Sequence, residues 1–274
     1  MSFELTLQFL GNSTIGLFGA GHLGKAIAEG LLKAGLPRQN LAICHRGSKE
    51  TDRELADLGL SDLVESGEKV VRQSRILFYL VRPQNSQAVR DYKLREDSLF
   101  ISFLAGIPLN NLPVHLPDAQ RVRVMTSAPD TLRNHNGIAA LYPQGNLLMR
   151  EILDSLGLRI VPLGHESDIH AFTALGPCLP IVLTYWEYAG FNTDDHELLE
   201  TAKKFGISNY SGILQWAHSI RPRQLSPEEI NRYLFQAATP GGVTDAILSA
   251  MRAGMCLSAA LQRGIERSQQ LATA

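Results

Sequence analysis

Ser13-Thr14-Ile15-Gly16-Leu17-Phe18-Gly19-Ala20-Gly21-His22-Leu23-Gly24 is the stretch on which the fold turns. An apolar run of strand length, Ser13–Phe18, leads straight into G-x-G-x-x-G. His22–Ala34 then places Leu23, Ala26, Ile27 and Leu31 on one helical face before Gly35 and Pro37 stop it. In such a turn the first glycine (Gly19) permits the tight bend and the second (Gly21) lets the backbone approach a pyrophosphate. The third (Gly24) lets helix pack on strand. The opening residues of the helix, His22 and Leu23, offer free N–H groups at the positive end of its dipole. Glycine-rich turns are common, and the motif alone is weak. Between a strand and an amphipathic helix it stands in the context that dinucleotide binding requires.

Reading outward, the alternation continues. Leu41–Cys44 is a second strand and Lys49–Leu58 a second helix; Arg75–Val81, Leu99–Leu104, Val122–Met125, Ile138–Tyr142 and Leu158–Pro162 are further strands, with a helix over Asn146–Leu156. Strand and helix at this spacing predict a mostly parallel sheet, an α/β dinucleotide-binding domain of the Rossmann type over residues 1–164. After about residue 163 no strand pattern remains. Ala171–Ala189 (bent near Pro177 and Pro180), Asp194–Phe205, Asn209–Ser219, Pro227–Phe235, Val243–Met251 and Met255–Leu271 all read as helices. Residues 165–274 are therefore expected to form an all-helical second domain.

The end of the second strand selects the nucleotide. An acidic residue there binds the ribose 2′-hydroxyl of NAD. This chain instead reads Ile43-Cys44-His45-Arg46-Gly47-Ser48-Lys49. Arg46 and Lys49 suit a 2′-phosphate by charge and Ser48 by hydrogen bonding, so the expected cofactor is NADP(H). The alternative is that the two cations merely solvate a loop. Val81-Arg82-Pro83 and Ala105-Gly106 end two further strands, where open α/β sheets bind ligands, and small residues at Ala105 and Gly106 leave room for a nicotinamide ring.

Bulk properties narrow the class. With 26 basic and 27 acidic residues the formal net charge is −1, which gives no electrostatic reason to expect nucleic acid or a membrane surface. Cys44, Cys178 and Cys256 are too few and too far apart for a disulfide framework or a metal site. Nothing at the N-terminus reads as a signal peptide and no run is long and apolar enough to span a membrane, so the reading is a soluble, cytoplasmic protein. Asp168 and His170 are read as helix-start and surface residues, and His165 and His135 as loop residues. Glu187 is read as a pocket-rim residue and Cys178 as a small buried hydrophobe.

Several motifs then occur in one order: Ile15–Gly24, Val81-Arg82-Pro83-Gln84, Ala105-Gly106-Ile107, Arg123-Val124-Met125 with Pro129, Thr173-Ala174-Leu175, and Thr239-Pro240-Gly241-Gly242-Val243-Thr244. In these the chain resembles the pyrroline-5-carboxylate reductases over nearly its whole length after residue 13, and Pro-Gly-Gly-x-Thr is the most specific part. The resemblance implies a helical domain that interlocks with its mate in a homodimer or higher homo-oligomer. It implies hydride transfer from the nicotinamide to a small cyclic imine carboxylate, 1-pyrroline-5-carboxylate giving L-proline. It places the substrate carboxylate on the turn carrying Thr239, Gly241 and Gly242, with Thr244 as the hydroxyl beside the ring nitrogen. Independently of the resemblance, Gly241-Gly242 opening a helix is a second anion nest, or else an ordinary helix start.

The chain departs from the family twice. Gly176-Pro177-Cys178-Leu179-Pro180 stands where the family has Ser-Gly-Ser-Gly-Pro-Ala, and Met125-Thr126-Ser127-Ala128-Pro129 where it has Met-Pro-Asn-Thr-Pro. Two alternatives stay open: a reductase of a different imine, or a non-catalytic NADP-binding relative. The β-hydroxyacid dehydrogenases share the domain order but resemble one another in a catalytic lysine early in the second domain, and no lysine occurs here between Lys93 and Lys203. A deazaflavin-linked reductase has a similar glycine turn, but Pro-Gly-Gly-x-Thr speaks against it.

Overall fold

The computed structural model describes residues 3–207 and 210–273. The chain divides into two compact units, Met1–Gly164 and His165–Ala274.

The first unit is built on a seven-stranded sheet of order β2-β1-β3-β4-β5-β6-β7. Its strands are β1 (Thr14–Phe18), β2 (Leu41–Cys44), β3 (Ser74–Tyr79), β4 (Leu99–Ser102), β5 (Arg121–Thr126), β6 (Gly137–Tyr142) and β7 (Leu158–Pro162). All pairings are parallel except β5–β6. That exception has a geometric cause. A parallel crossover needs a dozen or more connecting residues, whereas β5 and β6 are joined by a short turn that includes the five-residue helix α5 (Pro129–Arg133).

Period-2 alternation sorts the strand side chains onto two faces. Ile15, Leu17, Ile43, Ile76, Phe78 and Ile101 form one core with residues of α1 (Glu4–Leu10), α2 (His22–Lys33) and α6 (Leu147–Ser155). Phe18, Ala42, Cys44, Leu77, Tyr79 and Phe100 form the other, with Val70 and Val71 of α4 (Gly67–Gln73) and the loop residues Leu109, Leu112 and Val114. On α2 the stripe predicted from spacing is buried: Ala26, Ile27 and Leu31 are fully covered and Leu23 partly. Each fully buried Ile or Leu contributes roughly 1.5–3 kcal/mol. α3 (Lys49–Asp57) anchors through the buried Leu55.

The second unit is helical: α7 (Asp168–Leu175), α8 (Leu179–Tyr188), α9 (Asp195–Lys204), α10 (Tyr210–Ile220), α11 (Pro227–Ala237), α12 (Val243–Arg252) and α13 (Leu257–Thr273). The helix expected over Asn209–Ser219 is observed from Tyr210; Asn209 lies outside the described residues. The single bent helix expected over Ala171–Ala189 is two helices meeting at 41°. Gly176 ends α7, and Pro180 is accommodated in the first turn of α8, where a missing N–H costs nothing. The Tyr210 hydroxyl donates to the Leu175 carbonyl at 2.7 Å and satisfies that helix end. α12 and α13 pack closely, for a Cβ at Gly264 would lie 2.4 Å from Ile247. No single helix among the described residues is long and apolar enough to cross a membrane. The α7–α8 pair reaches that length and apolarity only across its break, and its apolar side chains form this unit's core.

One reading is corrected here. His170 is buried, not a surface residue, and its Nδ1 pairs with the buried Ser268 hydroxyl at 2.9 Å, tying α7 to α13. Met251 of α12 and Leu257, Ala260 and Leu261 of α13 are buried, as the apolar face of an amphipathic helix is when neighbouring helices pack on it.

Candidate functional sites in the two units

In the first unit the four strand ends named from sequence converge. β2, β1, β3 and β4 are adjacent and parallel, so the loops leaving them open on one edge. The chain order reverses at β1, which has β2 on one side and β3 on the other. Such a switch point leaves a crevice outside the carboxyl ends of the strands.

The glycine turn after β1 fills one wall. Gly19 has φ +124° and donates its N–H to the Cys44 carbonyl at 3.0 Å; a Cβ there would meet the Leu80 carbonyl oxygen at 2.7 Å. Gly24 lies so near that a Cβ would come within 2.2 Å of the Gly19 oxygen. Gly21 differs from both. A Cβ on it would meet nothing within 4 Å, so the backbone before α2 faces open space. α2 runs for twelve residues and has no side-chain cap at Gly21. Its first amides have no side-chain acceptor among the described residues, and an open helix start of this kind can cradle an anion such as a pyrophosphate.

The loop after β2 is held by contacts that sequence reasoning missed. The Nδ1 of His45 accepts the Gly47 N–H at 3.1 Å, and its Nε2 faces Asp52 of α3 at 3.0 Å. The buried Lys25 of α2 pairs with Glu54 of α3, and this contact holds the Glu54 carboxyl below its ordinary pKa. Arg46, Ser48 and Lys49 are exposed around this frame, and Ser48 opens α3 without capping it. Among the described residues, Arg46 and Lys49 make no ion pair and Ser48 makes no side-chain cap hydrogen bond.

After β3, Val81 is half-buried and Arg82 exposed. The Tyr79 hydroxyl donates toward the Asn85 and Ser86 carbonyls at 3.0 Å and accepts the Val89 N–H at 3.2 Å, pinning the turn that begins at Pro83. Burial pushes this phenol up to about 12. After β4, Ala105 is exposed and Gly106, with φ +76°, is buried.

The altered Thr126–Ala128 segment is internally satisfied. The Ser127 hydroxyl sits 2.6 Å from that of Thr131 and accepts the Ile138 N–H at 3.0 Å, so it braces the β5–β6 turn.

The second unit carries the Pro-Gly-Gly-x-Thr turn. Gly241 has φ +71°, a left-handed conformation suited to glycine. Its N–H donates to the Asp245 carboxylate at 2.9 Å, and its carbonyl accepts from Arg267 Nε at 2.7 Å. The Gly242 N–H donates to the Thr239 carbonyl at 2.9 Å. Both glycine amides thus have internal acceptors. The amides of Val243 and Thr244, which open α12, have no acceptor among the described residues. The Thr244 hydroxyl lies 3.3 Å from the Cys178 sulfur. Burial raises the Cys178 thiol to about 11, partly offset by the Thr244 hydroxyl, so it is protonated near neutrality.

Other polar residues weighed from sequence have structural partners. Asp168 accepts the His165 N–H at 2.9 Å at the start of α7, and Glu187 pairs with Arg221 at 2.5 Å. No cluster of His, Cys, Asp or Glu among the described residues could hold a metal ion.

Comparison with known proteins agrees with this architecture. A family model described as NADP oxidoreductase, coenzyme F420-dependent, matches residues 14–106, the part containing β1 to β4; it ends before the helical unit. A pyrroline-5-carboxylate reductase of Pasteurella multocida is 28% identical over 174 residues, 59% of this chain and 62% of that protein. The matched region thus spans less than two thirds of that relative's length. Among solved structures, 1-pyrroline-5-carboxylate reductase from Streptococcus pyogenes is similar with a TM-score of 0.58 at 21% identity, covering 94% of this chain and 98% of the other. A pyrroline carboxylate reductase of Plasmodium falciparum with NADP bound gives 0.56 at 20%, covering 95% and 98%. At those identities the structures establish the fold, and the sequence match supplies the kinship. The chain is thus similar in sequence, at low identity, to pyrroline-5-carboxylate reductases and shares the fold of their solved structures.

Proposed function

We propose that this protein is an NADPH-dependent reductase of a cyclic imine carboxylate, with 1-pyrroline-5-carboxylate to L-proline as its reaction. The observation that carries the reading is the pairing of two anion-accepting helix starts, each in its own unit. One is the open backbone at Gly21 before α2, and the other is the pair of unengaged amides at Val243 and Thr244. A dinucleotide and a small carboxylate are the two anions such a reductase handles, and the kinship with pyrroline-5-carboxylate reductases supports the assignment.

In this reading Gly19, Gly21, His22, Leu23 and Gly24 receive the pyrophosphate. Arg46 and Ser48 receive the 2′-phosphate, while Val81, Arg82, Pro83, Ala105 and Gly106 border the nicotinamide. The bound nicotinamide supplies a hydride. The protein's own part is to position and to exclude water. The amides of Val243 and Thr244 hold the substrate carboxylate on a turn that Thr239, Gly241 and Gly242 shape. The Thr244 hydroxyl accepts a hydrogen bond from the protonated imine nitrogen. A protonated imine already favours hydride attack at carbon, so no strong general acid is demanded. Nothing among the partnered carboxylates and histidines contradicts that economy. The helical unit is taken as the homodimerisation element, and light scattering on the purified protein tests this: a monodisperse monomer with full activity refutes it.

The test of function is NADPH oxidation by the purified protein with 1-pyrroline-5-carboxylate, beside 1-pyrroline-2-carboxylate and the piperideine carboxylates, and with Thr244→Ala as control. Turnover of 1-pyrroline-5-carboxylate that the control loses supports the reading. Tight NADPH binding with no turnover of any imine overturns it in favour of a nucleotide-binding relative without this catalysis.

A further inference from the structure

We propose that Cys178 is a positioning residue for Thr244, its sulfur serving as the acceptor that fixes the direction of the Thr244 hydroxyl. The inference rests on the imine-reductase reading and adds a residue to it, in a segment where this chain departs from its relatives' pattern.

Two observations carry it. The first is the contact itself. Cys178 precedes α8 and Thr244 is the second residue of α12, 66 positions later, yet Sγ and Oγ1 lie 3.3 Å apart, with Cys178 only 5% exposed. The second is what Thr244 does not do. As the second residue of α12, Thr244 has no helical carbonyl four residues behind it, unlike the threonines deeper in this unit's helices: Thr173 donates to the Ile169 carbonyl at 2.7 Å, Thr184 to Pro180 at 2.7 Å and Thr201 to Glu197 at 2.8 Å. Those hydroxyl protons are consumed locally. The Thr244 hydroxyl points across to another helix instead.

The hydrogen-bond inventory then assigns the roles. A hydroxyl has one proton and two lone pairs. A protonated imine presents N–H as a donor, so Thr244 Oγ1 must turn a lone pair to it. The Thr244 proton therefore has to go elsewhere, and Cys178 Sγ is the acceptor within reach. The thiol suits this task because burial keeps it protonated and so uncharged: a neutral sulfur accepts weakly and adds no fixed charge beside a cationic imine. Hydride arrives at the imine carbon, the C=N π pair moves onto nitrogen, and the N–H stays where it was. No proton passes through Cys178.

A double-mutant cycle with a spectroscopic companion tests the proposal. Wild type, Cys178→Ala, Cys178→Ser, Thr244→Ala and the double alanine variant are compared for kcat, for KM with 1-pyrroline-5-carboxylate and for NADPH affinity, with melting curves as a check on folding. Losing one hydrogen bond to a rotor is expected to lower kcat about three- to tenfold in Cys178→Ala, with KM and NADPH affinity unchanged. Serine restores the rate, and the alanine change has no further effect once Thr244 is alanine. In the protein without any ligand, the Cys178 S–H stretching band, isolated as the infrared difference between wild type and Cys178→Ala, lies at the frequency of a thiol that does not donate to Thr244 and stays there in Thr244→Val. Additive losses in the cycle, or an S–H band that Thr244→Val moves to higher frequency, the mark of a thiol that donates to Thr244, overturn the positioning role while the reductase reading stands. A wild type that binds NADPH and reduces no imine overturns both.

Discussion

Alanine substitutions at Gly21 and at Gly24 separate the cofactor cradle from the fold that carries it. At Gly21 the backbone is extended (φ −69°, ψ −171°) and a Cβ would meet nothing within 4 Å. The protein alone can therefore accept alanine there, at the cost of a poorer helix N-cap, about 0.5–1 kcal/mol. In a domain of this size that lowers Tm by roughly 1–4 °C. The methyl group would project into the space assigned to the pyrophosphate. Forcing a methylene-sized group into a closely packed contact costs about 1–3 kcal/mol, so NADPH affinity should fall roughly 5- to 150-fold. At Gly24 the new Cβ lies 2.2 Å from the Gly19 carbonyl oxygen, a backbone atom that cannot swing aside. Gly24→Ala must push α2 away from the β1 turn, and the lost packing should exceed about 1 kcal/mol of helix-propensity gain. Calorimetric titration with NADPH and differential scanning calorimetry on the two variants measure both quantities. Gly21→Ala binding NADPH with wild-type affinity would refute the placement of the pyrophosphate. A Gly24→Ala protein as stable as wild type would refute the contact between turn and helix.

Four further outcomes follow from the same geometry. Iodoacetamide at mildly alkaline pH should label Cys256 first, because the Ser258 hydroxyl and the Ala259 amide lower its pKa, while burial holds Cys178 near 11 and Cys44 near 12. Those two raised values mean that the folded state favours the protonated thiols. Their contribution to stability is complete below the ordinary thiol pKa of 9.0 and is lost as pH rises from there through about 11 to 12, so melting temperatures should fall over that window, less steeply in Cys178→Ala. Arg46→Asp should weaken NADPH binding at least tenfold and narrow the gap to NADH, since it replaces a charge-assisted contact with repulsion; equal NADPH affinity would mean that Arg46 only solvates its loop. Asp245→Asn should lower KM for the imine carboxylate several-fold, because a like charge next to the substrate carboxylate costs about 1 kcal/mol or more, and a raised KM would show instead that the Asp245–Gly241 bond is needed to shape the turn.

The elements legible in the sequence are those whose pattern is local. Leu41–Cys44 is a short apolar run between polar residues and Leu158–Pro162 a short, mostly apolar run after Gly157, and the structure places both strands on those residues. The helix expected over Asn146–Leu156 is observed at Leu147–Ser155, with Asn146 as its cap. α1, α4 and α5 are seven, seven and five residues long, and none of them spans enough turns to show a period. The antiparallel placement of β6 was likewise hidden. It depends on how short the β5–β6 connection is once the strand ends are known, and the sequence did not mark those ends sharply. His170 shows the limit of reading polarity alone: a histidine among apolar neighbours is accommodated in a core when a distant hydroxyl, here Ser268, lies 2.9 Å away.

The site divides along the same line. A glycine motif tells where a backbone can bend and where a ligand can come close, and Gly19, Gly21 and Gly24 were legible for that reason. It does not tell which amides remain free, because that is an accounting over every acceptor in the neighbourhood. The Pro-Gly-Gly turn illustrates the difference. From sequence Gly241 and Gly242 were the expected donors, yet Asp245 and Thr239 already take their protons, and the free amides lie one and two residues further on. Cys178 with Thr244, His45 with Asp52 and Lys25 with Glu54 are likewise pairs whose members sit 66, 7 and 29 positions apart. None of them carries a spacing signature, since each partner belongs to a different element and the fold alone sets their distance. What the residues of this family motif do in this chain is therefore decided by partners the motif does not contain. A substitution at one of those partners, Cys178 or Asp245, should move catalysis while every motif residue stays in place.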